Sequence, residues 1–377
     1  MKKVIILICI LVCVVMFASC TVLHNKTLST FDYFSTVITL NTSTSNKVDV
    51  ECAWAEMQKE LSDMDAKLSP YKEGSDIYKF NHAEKDTKVE VSKLTYDVFM
   101  IAMDAYMETD GTYNPAMLLL SDLWGFTDRF TYDNYSPIYP YDRQKPNEQL
   151  PSDKYVDGFL SLTDFGLVEG EEYKDKYYIY KPDLSIDIDG VNYTMQLDFG
   201  GIVKGYAAAV LQEIADRYDI NYGYITLGSS SLALLERGAT GRKWDLKLKD
   251  PKDPNSLYLR AYLISVFIST SGNYEQYYEI EGKRYCHIIN PTTGRPIENE
   301  TLSCTLAYRI SSRTARNDSA MLDAYSTALM VMDFETAKEF INSKKDLTAY
   351  IALNNGDKLK VYTNDEQARI LKDYERI

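Results

Sequence analysis

Apolar residues recur at helical spacing in several segments of the chain. From Ala53 to Leu68 they lie four, four, three and four residues apart, which predicts an amphipathic helix. Ser92 is the expected N-cap of a second helix that ends near Asp110 and Gly111. Three further helices are expected at about 204–218, 319–332 and 335–342.

Runs of β-branched and aromatic residues predict the strands. They are expected at 34–40, 222–227, 244–248 and 263–268, and residues 347–362 have the pattern of a hairpin that turns at 354–356. Helices and strands mix without strict βαβ alternation, and no linker divides the chain. The sequence therefore predicts an α+β fold, a single domain over residues 31–377 with a Tyr- and Pro-rich surface excursion at about 127–154.

The first twenty residues have the pattern of an export signal. Lys2 and Lys3 precede an apolar run, Val4 to Ala18, that is shorter than the about 20 residues needed to cross a bilayer. The run ends in Ala-Ser-Cys, which resembles the bacterial lipobox. We therefore expect residues 1–19 to be a signal peptide, Cys20 to be lipidated and residues 20–30 to form a polar tether. The alternative is ordinary cleavage with an incidental Cys20.

This N-terminus predicts a bacterial protein that is lipid-anchored to the extracytoplasmic face of the cell membrane. Diacyl chains gain about 0.8 kcal/mol per buried methylene, so such an anchor would hold the protein there. Cys52, Cys286 and Cys304 would remain in the processed chain, and the sequence alone selects no disulfide among them.

Charge and composition exclude several classes of function. The formal net charge is −14, from 41 Lys and Arg against 55 Asp and Glu, so nucleic acid is not an expected partner. A nucleotide could bind only with a metal ion or a local positive group. The three histidines form no H-E-x-x-H motif, and no C-x-x-C pair is present.

Three segments could carry chemistry. The segment from Asp198 to Lys204 contains two adjacent glycines that precede a helix. It could bind an anion at the helix N-terminus, or it could be a plain glycine turn with a solvated lysine. Asp323 and Thr327 share a helix face and could supply two oxygen ligands to Mg²⁺, or be an exposed acid and a threonine bonded to its own helix. His287 could act as a general base or be a buried core histidine.

Eight sequence blocks in a fixed order resemble the ApbE-type FAD:protein FMN transferases, from about residue 31 to 353. They are F-S-T-V-I (34–38), L-S-P-Y-K-E-G-S-D-I-Y-K-F-N (68–81), G-T-Y-N-P with L-W-G-F (111–115, 123–126), L-D-F-G-G-I-V-K-G-Y (197–206), T-L-G with W-D-L-K-L-K-D-P (226–228, 244–251), T-S-G-N-Y (270–274), Y-C-H-I-I-N-P-T-T-G-R-P (285–296) and D-A-Y-S-T-A-L (323–329).

The resemblance implies an ApbE-like, T-fold-related domain and a role for each matching residue. Asp323 and Thr327 match side-chain ligands of Mg²⁺, Gly201 matches a ligand through its carbonyl, and His287 matches the proposed base for the acceptor hydroxyl. The family's FAD contacts fall on Phe34, Tyr71, Thr112, Tyr113, Asn114, Asp198, Lys204 and Ile288. Four positions at which the family has aspartate carry other residues, namely Asn114, Asn273, Asn290 and Ala209.

The implied activity is the Mg²⁺-dependent transfer of the FMN part of FAD to a Thr or Ser hydroxyl of an exported acceptor protein, with release of AMP. FAD, the acceptor and the membrane are the implied partners. Two alternatives stay open at this point. The same site could hydrolyse FAD to FMN and AMP, or the protein could be a lipoprotein that only binds a flavin or another solute.

Overall fold

The structure, a computed structural model, describes residues 23–45, 48–127, 150–236, 242–253, 255–311, 315–356, 358–371 and 374–377. The expected signal peptide, Cys20 and most of the expected excursion (128–149) lie outside these residues. None of the helices described in these ranges is long and apolar enough to span a membrane.

Helices account for the amphipathic segments of the described chain. They are α1 (Val50–Leu68), α2 (Asp76–His82), α3 (Lys93–Glu108), α4 (Leu118–Leu123), α5 (Asp153–Leu160), α6 (Gly200–Arg217), α7 (Ala315–Val331) and α8 (Phe334–Ser343), with a 3₁₀ turn at Phe165–Leu167. The helices predicted from spacing are all present. Ser92 caps α3 as expected, because its side chain accepts the Thr95 N–H.

Strands make up most of the remaining regular secondary structure. They are β1 (His24–Thr30), β2 (Ile38–Thr44), β3 (Thr87–Val91), β4 (Glu169–Tyr173), β5 (Lys176–Lys181), β6 (Ser185–Ile188), β7 (Val191–Thr194), β8 (Gly223–Leu227), β9 (Ser231–Leu234), β10 (Trp244–Lys249), β11 (Leu257–Leu263), β12 (Val266–Gly272), β13 (Tyr277–Ile280), β14 (Lys283–Cys286), β15 (Ile289–Asn290), β16 (Arg295–Pro296), β17 (Thr301–Arg309), β18 (Leu347–Asn355), β19 (Lys358–Thr363), β20 (Arg369–Ile370) and β21 (Glu375–Arg376).

A nine-stranded sheet organises the fold, in the order β1-β2-β8-β9-β12-β17-β18-β19-β21. All neighbours are antiparallel except β19 and β21. Helices α6 and α7 cover one face, and the three-stranded sheet β10-β11-β20 covers part of the other. The α+β prediction is confirmed, with hydrophobic cores on both faces of one mixed sheet.

The two covering helices approach each other unusually closely at one glycine. A Cβ built on Gly205 would lie 2.2 Å from the Ser319 carbonyl oxygen and 2.8 Å from the Cβ of Asp323. Only glycine fits at this crossing, because real Cβ atoms do not approach backbone so closely. The crossing brings Asp323 of α7 against the first turns of α6.

Two strand predictions were wrong in their bounds. Residues 34–37 form a turn between β1 and β2, with Phe34 at φ 53° and Ser35 at φ 51°, because an antiparallel hairpin must reverse there. The apolar run at 263–268 spans the end of β11 and the start of β12, with Ser265 at φ 50° between them. Ser265 is the one polar residue of this run, and a single serine between apolar residues does not by itself predict a reversal.

The expected polar tether is wrong for His24–Thr30, which form β1. This edge strand pairs along its whole length with β2, from His24 opposite Thr44 to Thr30 opposite Ile38. Its backbone bonds do not depend on apolar side chains, and Leu28 packs on the core. A polar composition therefore concealed the strand. The cysteines Cys52, Cys286 and Cys304 are all free thiols.

Candidate active site

One large cleft of about 1510 Å³ opens at the end of the sheet where β2 begins and β8 and β12 end. It contains every described residue to which the resemblance assigns a catalytic, FAD-binding or metal-binding role. These are Phe34, Tyr71, Thr112, Tyr113, Asn114, Asp198, Gly201, Lys204, His287, Ile288, Asp323 and Thr327. Segments far apart in sequence thus meet in one place.

Asp323 is the most firmly held carboxylate of the cleft. It is buried on α7, and its Oδ1 accepts hydrogen bonds from Ser231 Oγ at 3.2 Å and Ser269 Oγ at 2.7 Å. Its Oδ2 accepts the Gly205 N–H at 3.0 Å. The regular helical acceptor of that N–H would be the Gly201 carbonyl, which therefore keeps lone-pair capacity for another partner.

Thr327 and Gly201 lie beside this carboxylate. Thr327 Oγ1 is 3.3 Å from Ser271 Oγ and 3.4 Å from the Asp323 carbonyl oxygen. A Cβ on Gly201 would lie 3.9 Å from Thr327 Oγ1 and 3.3 Å from the ring of Tyr113. The carboxylate and the hydroxyl of α7 therefore converge with the first turn of α6.

Tyr113 presents an unsatisfied hydroxyl at the same point. Its side chain is buried, and its Oη has no hydrogen-bond partner among the described residues. Burial raises the pKa of Tyr113 well above its usual value, and the charges of Asp323 and Asp198 add to the effect. A buried hydroxyl without a partner is costly, so this position favours a bound polar group.

The first turn of α6 is tied to the opposite wall of the cleft. Asp198 Oδ1 accepts the Gly200 N–H at 2.8 Å, and the Asp198 N–H donates to the Pro115 carbonyl at 2.8 Å. The Lys204 ammonium donates to the Gly200 carbonyl at 3.0 Å and lines the cleft. Lys204 thus brings a positive charge to the lining of the cleft.

His287 is oriented by one backbone carbonyl. The Gln276 carbonyl oxygen lies 3.0 Å from the His287 backbone nitrogen and 3.3 Å from its Nδ1. Nδ1–H is therefore assigned as the donor, which leaves Nε2 as the basic nitrogen. Burial lowers the pKa of His287; the Gln276 bond opposes this shift and the charge of Lys204 reinforces it.

Glu275 is a cleft residue that the sequence reasoning missed. Its Oε1 accepts a hydrogen bond from Ser229 Oγ at 3.1 Å. Burial raises the pKa of Glu275, although the Ser229 bond and Lys204 lower it. The available signal was its place directly after the T-S-G-N-Y block, one residue before Gln276, which orients His287.

Comparison with known proteins shows the family of the chain. The model of the ApbE family matches residues 18–351. The chain belongs to the ApbE family. A curated relative from Escherichia coli K12, named FAD:protein FMN transferase, is 28% identical over 92% of this chain and 88% of its own.

Solved structures of the ApbE family share the fold. The flavin transferase ApbE from Vibrio cholerae superposes with a TM-score of 0.72 at 21% identity, covering 90% of this chain and 97% of its own. The ApbE protein of Thermotoga maritima gives a TM-score of 0.70 at 25% identity, covering 88% and 94%. The expected ApbE-like fold is confirmed.

The four departures from the ApbE pattern have structural uses in this chain. Asn114 Nδ2 donates to the Thr163 carbonyl at 2.8 Å, which a carboxylate could not do. Asn273 Nδ2 donates to the Thr301 carbonyl at 3.4 Å, and Asn290 Oδ1 accepts the Thr292 N–H at 2.8 Å. Ala209 lies in the buried face of α6, where a charge would be expensive.

Asn81 was also missed, and it fixes the chain just before Asp198. Its Oδ1 accepts the Leu197 N–H at 2.7 Å, and its Nδ2 donates to the Leu197 carbonyl at 2.9 Å. The buried Lys181 ammonium donates to the Asn81 carbonyl at 2.9 Å and to the Phe80 carbonyl at 3.1 Å. Burial lowers the pKa of Lys181 to about 8.

We expect Asn81→Ala to lower FAD affinity and catalytic rate, because both bonds to Leu197 disappear and the Asp198 turn loosens. Two lost buried bonds cost about 1–3 kcal/mol. Hydrogen exchange at Leu197 and Asp198 should accelerate. The matched control is Asn364→Ala, which removes an equivalent pair of bonds to Leu347 and Ala349 away from the cleft. Equal loss of FAD affinity in both variants would contradict the assignment.

Proposed function

We propose that this ApbE-family chain is a transferase that moves the FMN part of FAD to a Thr or Ser hydroxyl of an exported acceptor protein, with Mg²⁺ as cofactor and AMP as product. The observation that carries the proposal is the convergence of Asp323, Thr327 and Gly201 beside Lys204 and His287 in one cleft. The names of its relatives support flavin transfer as the class of reaction.

The cleft suits a large substrate. Its volume of about 1510 Å³ exceeds the roughly 300–1,000 Å³ of typical small-molecule sites. Phe34 and Tyr71 line the cleft and offer aromatic surface to a flat ring. Lys204 supplies positive charge where a pyrophosphate would otherwise meet Asp198, Glu275 and Asp323.

The donor set fits Mg²⁺ held jointly with the substrate. Asp323, Thr327 and the Gly201 carbonyl are oxygen donors, as Mg²⁺ prefers, and the ring of Tyr113, whose hydroxyl has no partner among the described residues, lies beside Gly201. Among the described residues, no three His, Cys, Asp or Glu side chains cluster into a metal site. We therefore expect metal binding to depend on FAD phosphates. A bound Mg²⁺ would neutralise the charge that develops on the pyrophosphate.

His287 can take the proton that the reaction releases. The acceptor hydroxyl oxygen forms a bond to the phosphorus of the FMN part, and the pyrophosphate P–O bond breaks so that AMP leaves with its electron pair. The hydroxyl proton passes to Nε2 of His287, whose Nδ1–H stays on the Gln276 carbonyl. The lowered pKa leaves the imidazole neutral and able to accept a proton at pH 7.

One incubation distinguishes this function from its two alternatives. Purified protein is mixed with FAD, Mg²⁺ and a candidate acceptor, and the acceptor mass and free AMP are measured. Transfer adds FMN to the acceptor with one AMP for each FMN. Hydrolysis yields FMN and AMP without acceptor modification, and a binding lipoprotein yields neither product.

We further propose that a diacylglyceryl group on Cys20 holds the protein on the extracytoplasmic face of the membrane. Three features of the N-terminus support this proposal, namely the two lysines at its start, the apolar run that follows and the Ala-Ser-Cys sequence at the end of that run.

Cys20→Ala should remove the protein from the membrane fraction or leave it unprocessed, because the modified thiol is absent. Metabolic labelling with a radioactive fatty acid and fractionation check this. Cys52→Ala is the matched control, since Cys52 is an exposed thiol in the folded domain. Unchanged lipid incorporation in Cys20→Ala would show that the anchor is elsewhere.

Asp323→Ala should abolish transfer and weaken FAD binding in the presence of Mg²⁺. The substitution removes the one carboxylate of the proposed metal site and the acceptor of three hydrogen bonds. Isothermal titration with FAD, with and without Mg²⁺, measures the loss. Asp318→Ala, on the same helix but outside the cleft lining, is the control. Parental turnover by Asp323→Ala at limiting Mg²⁺ would refute the metal assignment.

His287→Asn should lower the transfer rate about 10²–10⁴-fold while FAD affinity is retained, because a base acts on the nucleophile. In the parent protein the rate should fall as pH drops below the usual histidine value of 6.5, since the lowered pKa keeps His287 neutral above it. That acidic limb should vanish in the variant. His82→Asn, which alters a histidine stacked on Tyr78, is the control. Parental transfer by a folded His287→Asn protein would move the base elsewhere.

A further inference from the structure

The cleft has a second arm on the sheet face opposite to α6 and α7. Side chains alternate along a strand, and Ser231 and Ser269 point to Asp323 on α7. Their neighbours Leu232 and Ile268 therefore point to the other face, where they contact the core under β10. We name this region the β10 arm and define it by Leu232, Leu246, Lys247, Leu248, Lys249 and Leu302, all of which line the cleft.

The β10 arm contains none of the residues that match FAD contacts or metal ligands. Those residues come from the helices and loops on the α6 side and from the segment after β14. FAD bound to those residues would leave the β10 arm unoccupied. A transferase needs room for two substrates, so this arm is available to the acceptor.

Strand β10 offers an unpaired edge to such a partner. In its three-stranded sheet β10 is the terminal strand, and it pairs only with β11 among the described strands. Its residues Leu246 to Lys249 line the cleft. An edge strand presents N–H and C=O groups that an extended segment can pair with, while alternate side chains supply specificity.

The arm is positively charged in a chain of net charge −14. Lys247 lies 3.7 Å from Asp245, but that carboxylate is also bonded by Arg260 at 2.5 Å. Lys249 has no ion pair among the described residues. The lining carboxylate Asp250 accepts the Tyr374 hydroxyl at 2.8 Å. Two exposed lysines beside half-buried leucines therefore favour an acidic segment with interspersed apolar side chains.

We propose that the acceptor protein docks an extended, acidic and apolar segment along the free edge of β10, so that its hydroxyl reaches the other arm of the cleft at the end of the sheet. Acidic side chains of the segment lie against Lys247 and Lys249, and apolar ones lie against Leu232, Leu246 and Leu302. The inference rests on the proposed function for the existence of an acceptor, and it adds the surface and the chemistry by which the acceptor binds.

The test measures peptide binding without requiring turnover. Two fluorescein-labelled synthetic peptides carry a central Thr, one flanked by alternating Asp and Val and the other by alternating Lys and Val. Fluorescence anisotropy with the FAD-loaded full chain should show that the Asp peptide binds about tenfold more tightly or better. Hydrogen exchange at Trp244–Lys249 should slow when the Asp peptide is bound.

The double variant Lys247→Glu, Lys249→Glu should abolish this preference and leave FAD affinity at the parental value. The matched control is Lys358→Glu, Lys360→Glu, which makes the same change at the same spacing on β19, outside the cleft lining. The control should keep the preference for the Asp peptide.

Three results would overturn the proposal. They are equal binding of the two peptides, protection at strands other than β10, and a loss of FAD affinity in the Lys247 and Lys249 variant equal to its loss of peptide affinity. The last result would assign the β10 arm to FAD. Failure of the chain to transfer FMN would refute the proposed function and would leave these binding measurements interpretable on their own.

Discussion

The active-site geometry depends on the contact between α6 and α7 at Gly205. Because this residue has no side chain, the Ser319 carbonyl and the Cβ of Asp323 approach the α6 backbone to distances that any Cβ would prevent. The Asp323 carboxylate can then accept a backbone N–H of α6 while it also accepts the hydroxyls of Ser231 and Ser269. The crossing and the neighbouring strands β9 and β12 thus hold the carboxylate with three hydrogen bonds, and it forms no ion pair with another described residue. An ion pair there would have neutralised the charge on which the proposed Mg²⁺ binding depends.

The sequence predicted five of the eight described helices, and α1 and α3 repeat apolar residues at the helical period. The short helices α2, α4 and α5 were not predicted. The sequence failed where backbone pairing or reversal decides the structure. Strand β1 is polar and is held by its partner β2, and Ser265 reverses the chain inside an apolar run. Neither feature leaves a periodic trace in side-chain polarity.

The site was predicted less evenly than the helices. The twelve described residues singled out by residue type and by the resemblance all line the cleft. Asn81, Lys181 and Glu275 were missed because their importance comes from contacts between distant segments. Asn81 is 116 residues from the Leu197 backbone that it holds. Only the folded chain shows that a buried lysine amine secures the end of α2, and through Asn81 the turn that carries Asp198.

The register of β1 has a consequence for how the molecule stands on a surface. His24 pairs with Thr44 at the end of the sheet remote from the cleft, and the strand then runs toward the cleft as far as Thr30. Seven residues at about 3.3 Å each cover roughly 20 Å, whereas the four residues from Cys20 to His24 reach at most about 14 Å. The lipid anchor proposed at Cys20 would therefore lie nearer to the end of the sheet remote from the cleft than to the cleft itself. In that arrangement the proposed acceptor would approach the cleft from the solvent.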